Sequence, residues 1–129
     1  MSALGTIGRI DYTVIHARDF AAMRAFYADT MEFPLVARLS DGWIEFAVGA
    51  NRLALAARLR GTVAPTTPAG AAALQLAFRV APDDVAACAA QLQVKGVALV
   101  EPVTDQPFGH RTVFFRDPDG NLLEIYAEI

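Results

Sequence analysis

The sequence predicts an α+β fold in which one strand–helix–strand–strand–strand unit is used twice. Three observations predict it. Two stretches with helical spacing of apolar residues, 20–31 and 82–96, each follow one β-rich stretch and precede three more. RGTVAPTTPAG, where Pro, Thr and Gly gather, separates the two series. The series can also be laid over each other: Tyr12 falls on Gln75 in the first strand of each half, and GANRLAL falls on DGNLLEI, matching Asn51 with Asn121 and Ala54 with Glu124. The 129 residues therefore read as a single domain of two modules, 1–60 and 71–129, with a linker over 61–70.

The elements follow in order. IGRIDYTVIHA (7–17) alternates imperfectly and is rich in β-branched residues, which predicts a strand. Asp19 offers an N-cap to a helix whose apolar residues are Phe20, Met23, Tyr27 and Met31, with Pro34 ending it. LVARL and WIEFAV read as strands joined by the turn SDG, and NRLALAARL as the strand after them. In the second half AALQLAFRV is a strand. PDDVAACAAQLQVKG is a helix with Pro82 in its first turn, Asp83 and Asp84 at the positive end of its dipole, a buried stripe of Val85, Cys88, Ala89 and Leu92, and Gly96 at its end. VALVEPV reads as an edge strand because of Pro102. RTVFFR and NLLEIYAEI form a hairpin through DPDG.

Composition narrows the function. With 54% hydrophobic residues the chain can fill a core. The net charge of −3 and the lack of a basic run argue against nucleic acid and against an anionic membrane surface. No apolar run reaches the roughly 20 residues of a membrane helix. Cys88 is the sole cysteine, which excludes an internal disulfide and a thiolate zinc cage and makes the cytoplasm the simplest compartment. No serine–histidine–aspartate order, phosphate loop or dinucleotide fingerprint is present.

DYTVIHARDFAAMRAFYADTMEF, LQLAFRVAPDDVAACAAQLQVKGV and above all FGHRTVFFRDPDGNLLEI resemble the vicinal oxygen chelate superfamily, which includes glyoxalase I, bleomycin- and fosfomycin-resistance proteins and extradiol dioxygenases. The most specific part is Gly109, Arg111, Asp117, Pro118, Gly120, Asn121 and Glu124. The resemblance implies two βαβββ modules whose mixed sheets curve into a cup, a ligand inside the cup, and a homodimer. It also implies four inward metal positions, which fall on Tyr12, Ala54, Gln75 and Glu124. Only Glu124 is a typical ligand type; a methyl, a neutral phenol and an amide make a poor divalent cation site, so no metal and no cofactor are expected. One departure is local: the family usually has Gly where Glu32 follows the first helix, and a left-handed Glu32 would cost about 1–2 kcal/mol.

These residues lead to a protein with a degraded metal site that binds a small, partly apolar organic molecule without metal. The alternative is a lyase or isomerase of the same superfamily in which Glu124 moves a proton beside a carbonyl and Tyr12 or Arg111 steadies the oxyanion. A metal-dependent glyoxalase or dioxygenase and a ligand-free structural dimer are further readings. Candidate ligand contacts are Tyr12, Gln75, Glu124, Arg111, His110 and His16. Each has a bland counterpart: Glu124 fixed in a polar cluster, His16 half-exposed at a strand end, His110 on a surface loop, Arg111 paired with a surface acid. Trp43, Phe46, Phe108 and Phe114 read as core or wall, and Cys88 as a small apolar residue.

Overall fold

In a computed structural model the described residues are 2–57 and 74–129, so the linker expected over 61–70 lies outside them. The chain divides into two compact units, Met1–Gly61 and Thr62–Ile129. Among the described residues no helix is long and apolar enough to cross a membrane.

In the first unit a short 3-10 turn, Ala3–Thr6, precedes β1 (Tyr12–His16), α1 (Phe20–Ala25), β2 (Leu35–Ser40), β3 (Trp43–Val48) and β4 (Asn51–Ala56). The sheet order is β1-β4-β3-β2; β1 runs parallel to β4, and the other neighbours are antiparallel. Asp19 caps α1 by accepting the Ala22 backbone N–H at 3.0 Å. The single helix expected over 20–31 changes pitch: Phe26–Thr30 is a π turn, closed by the Met31 N–H on the Phe26 carbonyl at 2.9 Å. That wider turn buries Phe26 together with Met23 and Tyr27. They meet the sheet face carrying Ile15, Ile44, Phe46, Leu53 and Leu55, and the Tyr27 and Phe46 rings lie 6.3 Å apart. Each such apolar side chain contributes about 1.5–3 kcal/mol by leaving water. Glu32 ends the helix at φ 61°, the left-handed conformation in question above, and the Phe33 N–H returns to the Tyr27 carbonyl.

The second unit repeats the order with β5 (Gln75–Arg79), α2 (Pro82–Val94), β6 (Leu99–Asp105), β7 (His110–Arg116) and β8 (Leu122–Glu128), in a sheet ordered β5-β8-β7-β6 with β5 parallel to β8. The architecture is therefore α+β, two four-stranded mixed sheets each backed by one helical segment. Val85, Ala89 and Leu92 of α2 are buried along with Val113, Phe115, Leu123 and Ile125, whereas Cys88 is only half-buried. Pro102 does sit on the edge strand, beside a register shift.

The DPDGN run earns its place through the turn. One Asp117 carboxylate oxygen accepts the backbone N–H groups of Asp119 and Asn121, the other accepts the Asn121 side-chain amide, and Gly120 takes φ 93°. Asp117, Asp119 and Asn121 are buried there. This is a structural network that fixes the register of β7 on β8, and with it the facing of Glu124.

Candidate functional site

Because strand side chains alternate, each sheet has a helix-covered face and an opposite, open face. Cross-strand register defines three rows on each open face. In the first unit they are Tyr12–Arg52–Ala47, Val14–Ala54–Glu45 and His16–Ala56–Trp43. In the second they are Gln75–Leu122–Arg116, Ala77–Glu124–Phe114 and Arg79–Tyr126–Thr112. Tyr12 and Gln75 hold equivalent places in their own sheets, as do Ala54 and Glu124.

The open face of the second sheet bears a concavity of about 370 Å³. Its walls are Phe108, His110, Phe114 and Tyr126; its polar groups are Glu124, Gln106 and Thr112. The His110 ring stacks on Tyr126 with centroids 4.8 Å apart, and Phe108 meets His110 edge-on at 5.3 Å. The Gln75 amide donates to a Glu124 oxygen at 3.4 Å, a long bond that leaves most of the carboxylate's acceptor capacity unspent. Gln106 is held by both its amide protons, one on Glu101 at 2.8 Å and one on Thr112 at 3.1 Å.

The first sheet's open face is organised differently. Glu45 is 8% exposed, and both its oxygens are engaged: Oε2 accepts the Trp43 indole N–H at 2.9 Å and Oε1 accepts Arg52 Nη1 at 3.0 Å. The indole hydrogen bond, then Arg52, hold this carboxyl below the usual carboxylate range despite its burial. Trp43 and Tyr12 meet edge to face at 5.9 Å, although β4 runs between their strands. The alanines of β4 leave the room for this, and Ala54 is fully buried.

The structure brings Gln75 and Glu124 together and places His110 in the wall of the concavity. Tyr12 belongs to the first unit, where its ring partner is Trp43. His16 is exposed at the end of β1. Arg111 stands on the other face of β7, with Val113 and Phe115. It is clamped by Asp105 through Nε at 2.7 Å and Nη2 at 3.1 Å and reaches the Pro82 carbonyl at 3.4 Å. That is the arginine-with-surface-acid arrangement, and it holds the Asp105 carboxyl low. Burial, aided by Asp84, pushes the Cys88 thiol up, away from nucleophile character. Glu45, Arg52 and Gln106 were missed by sequence reasoning. Glu45 had a signal, since it is a carboxylate inside the apolar strand WIEFAV just as Glu124 is inside NLLEIYAEI. Among the described residues no three His, Cys, Asp or Glu side chains gather as a metal-binding group.

The family model described as Glyoxalase/Bleomycin resistance protein/Dioxygenase superfamily matches residues 9–125. YaeR of Escherichia coli (strain K12), an uncharacterized protein, is 31% identical, with 93% of this chain and 96% of YaeR covered. Among solved structures, TnmS3, an antibiotic binding protein from Streptomyces sp. CB03234, is 28% identical with a TM-score of 0.76, covering 96% of this chain and 98% of that one. A glyoxalase/bleomycin resistance protein/dioxygenase from Nocardioides has a TM-score of 0.77 at 23% identity, covering 98% and 89% of the two chains; at that identity the likeness is one of fold.

Proposed function

The chain belongs to the Glyoxalase/Bleomycin resistance protein/Dioxygenase superfamily, and from that premise we propose that it binds a small, partly apolar organic molecule without a metal ion. The observation that carries this reading is the concavity on the second sheet, an open cleft where four aromatic rings stand beside a few polar anchors, the composition of an organic ligand site. The likeness to TnmS3, which is an antibiotic binding protein, supports the same class of guest. The donor set supports metal independence. Of the two family metal positions in the first module, Ala54 has no donor atom and Tyr12 offers a phenol packed edge-on to Trp43. In the second, Gln75 is a weak ligand already bonded to Glu124. Glu45, the carboxylate nearest Ala54 in register, has both oxygens engaged by Trp43 and Arg52. A homodimer is the assembly that goes with this reading.

Ligand-observed NMR with a library of aromatic fragments, run with EDTA present, tests the proposal. Fragments should bind, and Tyr126→Ala, which removes the ring under His110, should weaken them. A near-stoichiometric divalent metal in protein prepared without chelators, or no binding by any fragment, would sink it.

One observation favours a second reading, in which the protein is a lyase or isomerase: Glu124 lines the concavity with acceptor capacity to spare. A carboxylate there can take a proton from a carbon beside a carbonyl. Deuterium exchange at the alpha carbon of a bound ketone or aldehyde, abolished in Glu124→Gln, is the expected signature; no exchange with any bound carbonyl compound removes this reading.

A further inference from the structure

The open face of the first sheet holds polar groups that the ligand reading above does not use. Arg52 is 51% exposed along its side chain, and among the described residues only its Nη1 is engaged, by Glu45 at 3.0 Å. Its Nε and Nη2 remain to donate. Tyr12, the register partner of Arg52 across the parallel pairing of β1 and β4, is 45% exposed and has a ring contact to Trp43, and among the described residues its hydroxyl makes no hydrogen bond.

We propose that Arg52 and Tyr12 form an anion-binding subsite on the first module, one that takes the carboxylate, or a similar planar two-oxygen head group, of a small aromatic or apolar acid. Four features lead there. The first is the hydrogen-bond inventory: Glu45 has both oxygens spent and is almost wholly covered, so it offers a ligand little. What remains unspent is donor capacity, namely the Nε–Nη2 edge of a guanidinium and a phenol O–H, and donors call for an acceptor. The second is preorganisation. Arginine normally loses much side-chain freedom when it binds, but here a buried carboxylate already holds one nitrogen, so the remaining fork is presented at lower entropic cost. The third is geometry: the fork of a guanidinium matches two oxygens of a carboxylate, and one end of this fork is free. The fourth is the aromatic pair beside it. Tyr12 and Trp43, set at 89° to each other, supply an apolar flank for the body of the acid. Glu45 is thus a positioning residue for Arg52.

The inference is independent of the concavity on the second sheet and of whether Glu124 does chemistry. Trp43 is the sole tryptophan, so intrinsic fluorescence reports on this patch. Benzoate is the probe, with benzamide as its neutral isostere. Benzoate should perturb Trp43 emission saturably and benzamide should do so only weakly. Arg52→Ala should weaken benzoate about ten-fold or more, the usual consequence of losing a charge-assisted pair. Arg52→Lys, which keeps the charge but loses the fork, should fall between. Tyr12→Phe, which removes one neutral donor and leaves the ring, should cost only a few-fold. Arg52→Ala takes one of two partners from the buried Glu45 and should lower stability, so a thermal melt checks that it is folded under the assay conditions, and Arg52→Lys, which keeps a cation beside Glu45, and Tyr12→Phe carry the test beside it. Failure of benzoate to bind, equal binding of benzamide, or benzoate binding untouched by Arg52→Ala would each overturn the subsite. The last result would place benzoate elsewhere, and leave the proposal for the second-sheet concavity standing.

Discussion

The two modules share a backbone plan and differ in where one carboxylate stands. In the middle row of the first sheet, Glu45 on β3 faces Ala54 on β4; in the middle row of the second, Glu124 on β8 faces Phe114 on β7. Acid and apolar partner have exchanged strands. The consequences follow from volume and reach. With alanines at 54 and 56, side chains of the flanking strands lean over β4, so Tyr12 touches Trp43 and Glu45 is closed in by an indole and a guanidinium. With Glu124 and Tyr126 at the matching places, the centre of the sheet is filled by long side chains, Phe114 and His110 form walls, and a concavity remains between them. One topology thus yields a sealed polar cluster with a donor edge in one copy and an aromatic cleft with acceptor groups in the other. Backbone order alone decides neither outcome.

The helix-covered faces, by contrast, are apolar in both copies, and the largest expected effect tests whether they are equally well packed. Phe46 and Phe115 are topological counterparts, paired with Leu53 and Leu123 respectively, and both are fully buried. Phe46→Ala and Phe115→Ala should each destabilise the protein by about 3–5 kcal/mol in chemical denaturation, through lost transfer energy and the cavity left behind. If one of the two costs less than about 1 kcal/mol, that site has relaxed around the gap and the equivalence of the two cores is broken.

A smaller effect separates the two carboxylates. Glu45→Gln should cost about 1–3 kcal/mol at neutral pH, because it replaces charge-assisted hydrogen bonds in a buried place. Its pH dependence has a definite sign. The folded protein holds this carboxyl below its ordinary 4.5, so its contribution is fully present above that value and is lost as pH falls through the lower, folded value. Acid titration of stability should therefore be shallower in Glu45→Gln than in the parent. Glu124→Gln, whose one bond among the described residues is long, should change neutral stability by less than about 0.5 kcal/mol. Equal costs for the two substitutions would show that the sealed and open arrangements are energetically alike, against the comparison drawn above.

Most of the fold was legible in the sequence because its signals are local. Periods of two and 3.6, the cap at Asp19, Pro82 in the first turn of α2, and the Asp117–Asn121 turn all act within a few residues. The π turn was not legible, since Phe26 and Tyr27 are pulled inward together by the sheet beneath them, a tertiary demand with no fixed spacing. The site was half legible. Glu124 was reached through its place in the family hairpin, and His110 as a residue of a loop before RTVFFR, whereas it opens β7. The Glu45–Trp43–Arg52 cluster joins two strands, and its meaning depends on Ala54 being small, which register alone reveals. For Arg111 the sequence leaves two readings, an anion contact in the cup and a pairing with a surface acid; it shares parity with Val113 and Phe115, so alternation puts it on the helix-covered side, where Asp105 holds it.

The finest contrast lies where each helix ends. Glu32 follows the first helical segment at φ 61°, and Gly96 follows α2 at φ 86°. Both are left-handed, but only one is a glycine. The strain of a side chain in that conformation is about 1–2 kcal/mol, and glycine's greater freedom when unfolded cancels roughly 0.5–1 kcal/mol of any gain from removing it. Relief of the backbone alone should therefore favour Glu32→Gly by about 0.5–1 kcal/mol, set against whatever the Glu32 side chain contributes. Gly96→Ala should destabilise the protein by a similar amount, and through the backbone alone, because an added Cβ at 96 meets no atom within 4 Å. Paired thermal melts check both signs. If Glu32→Gly lowers the melting temperature instead, the Glu32 side chain makes contacts worth more than the strain it carries, and the first module will have kept its non-glycine residue for a physical reason its counterpart lacks.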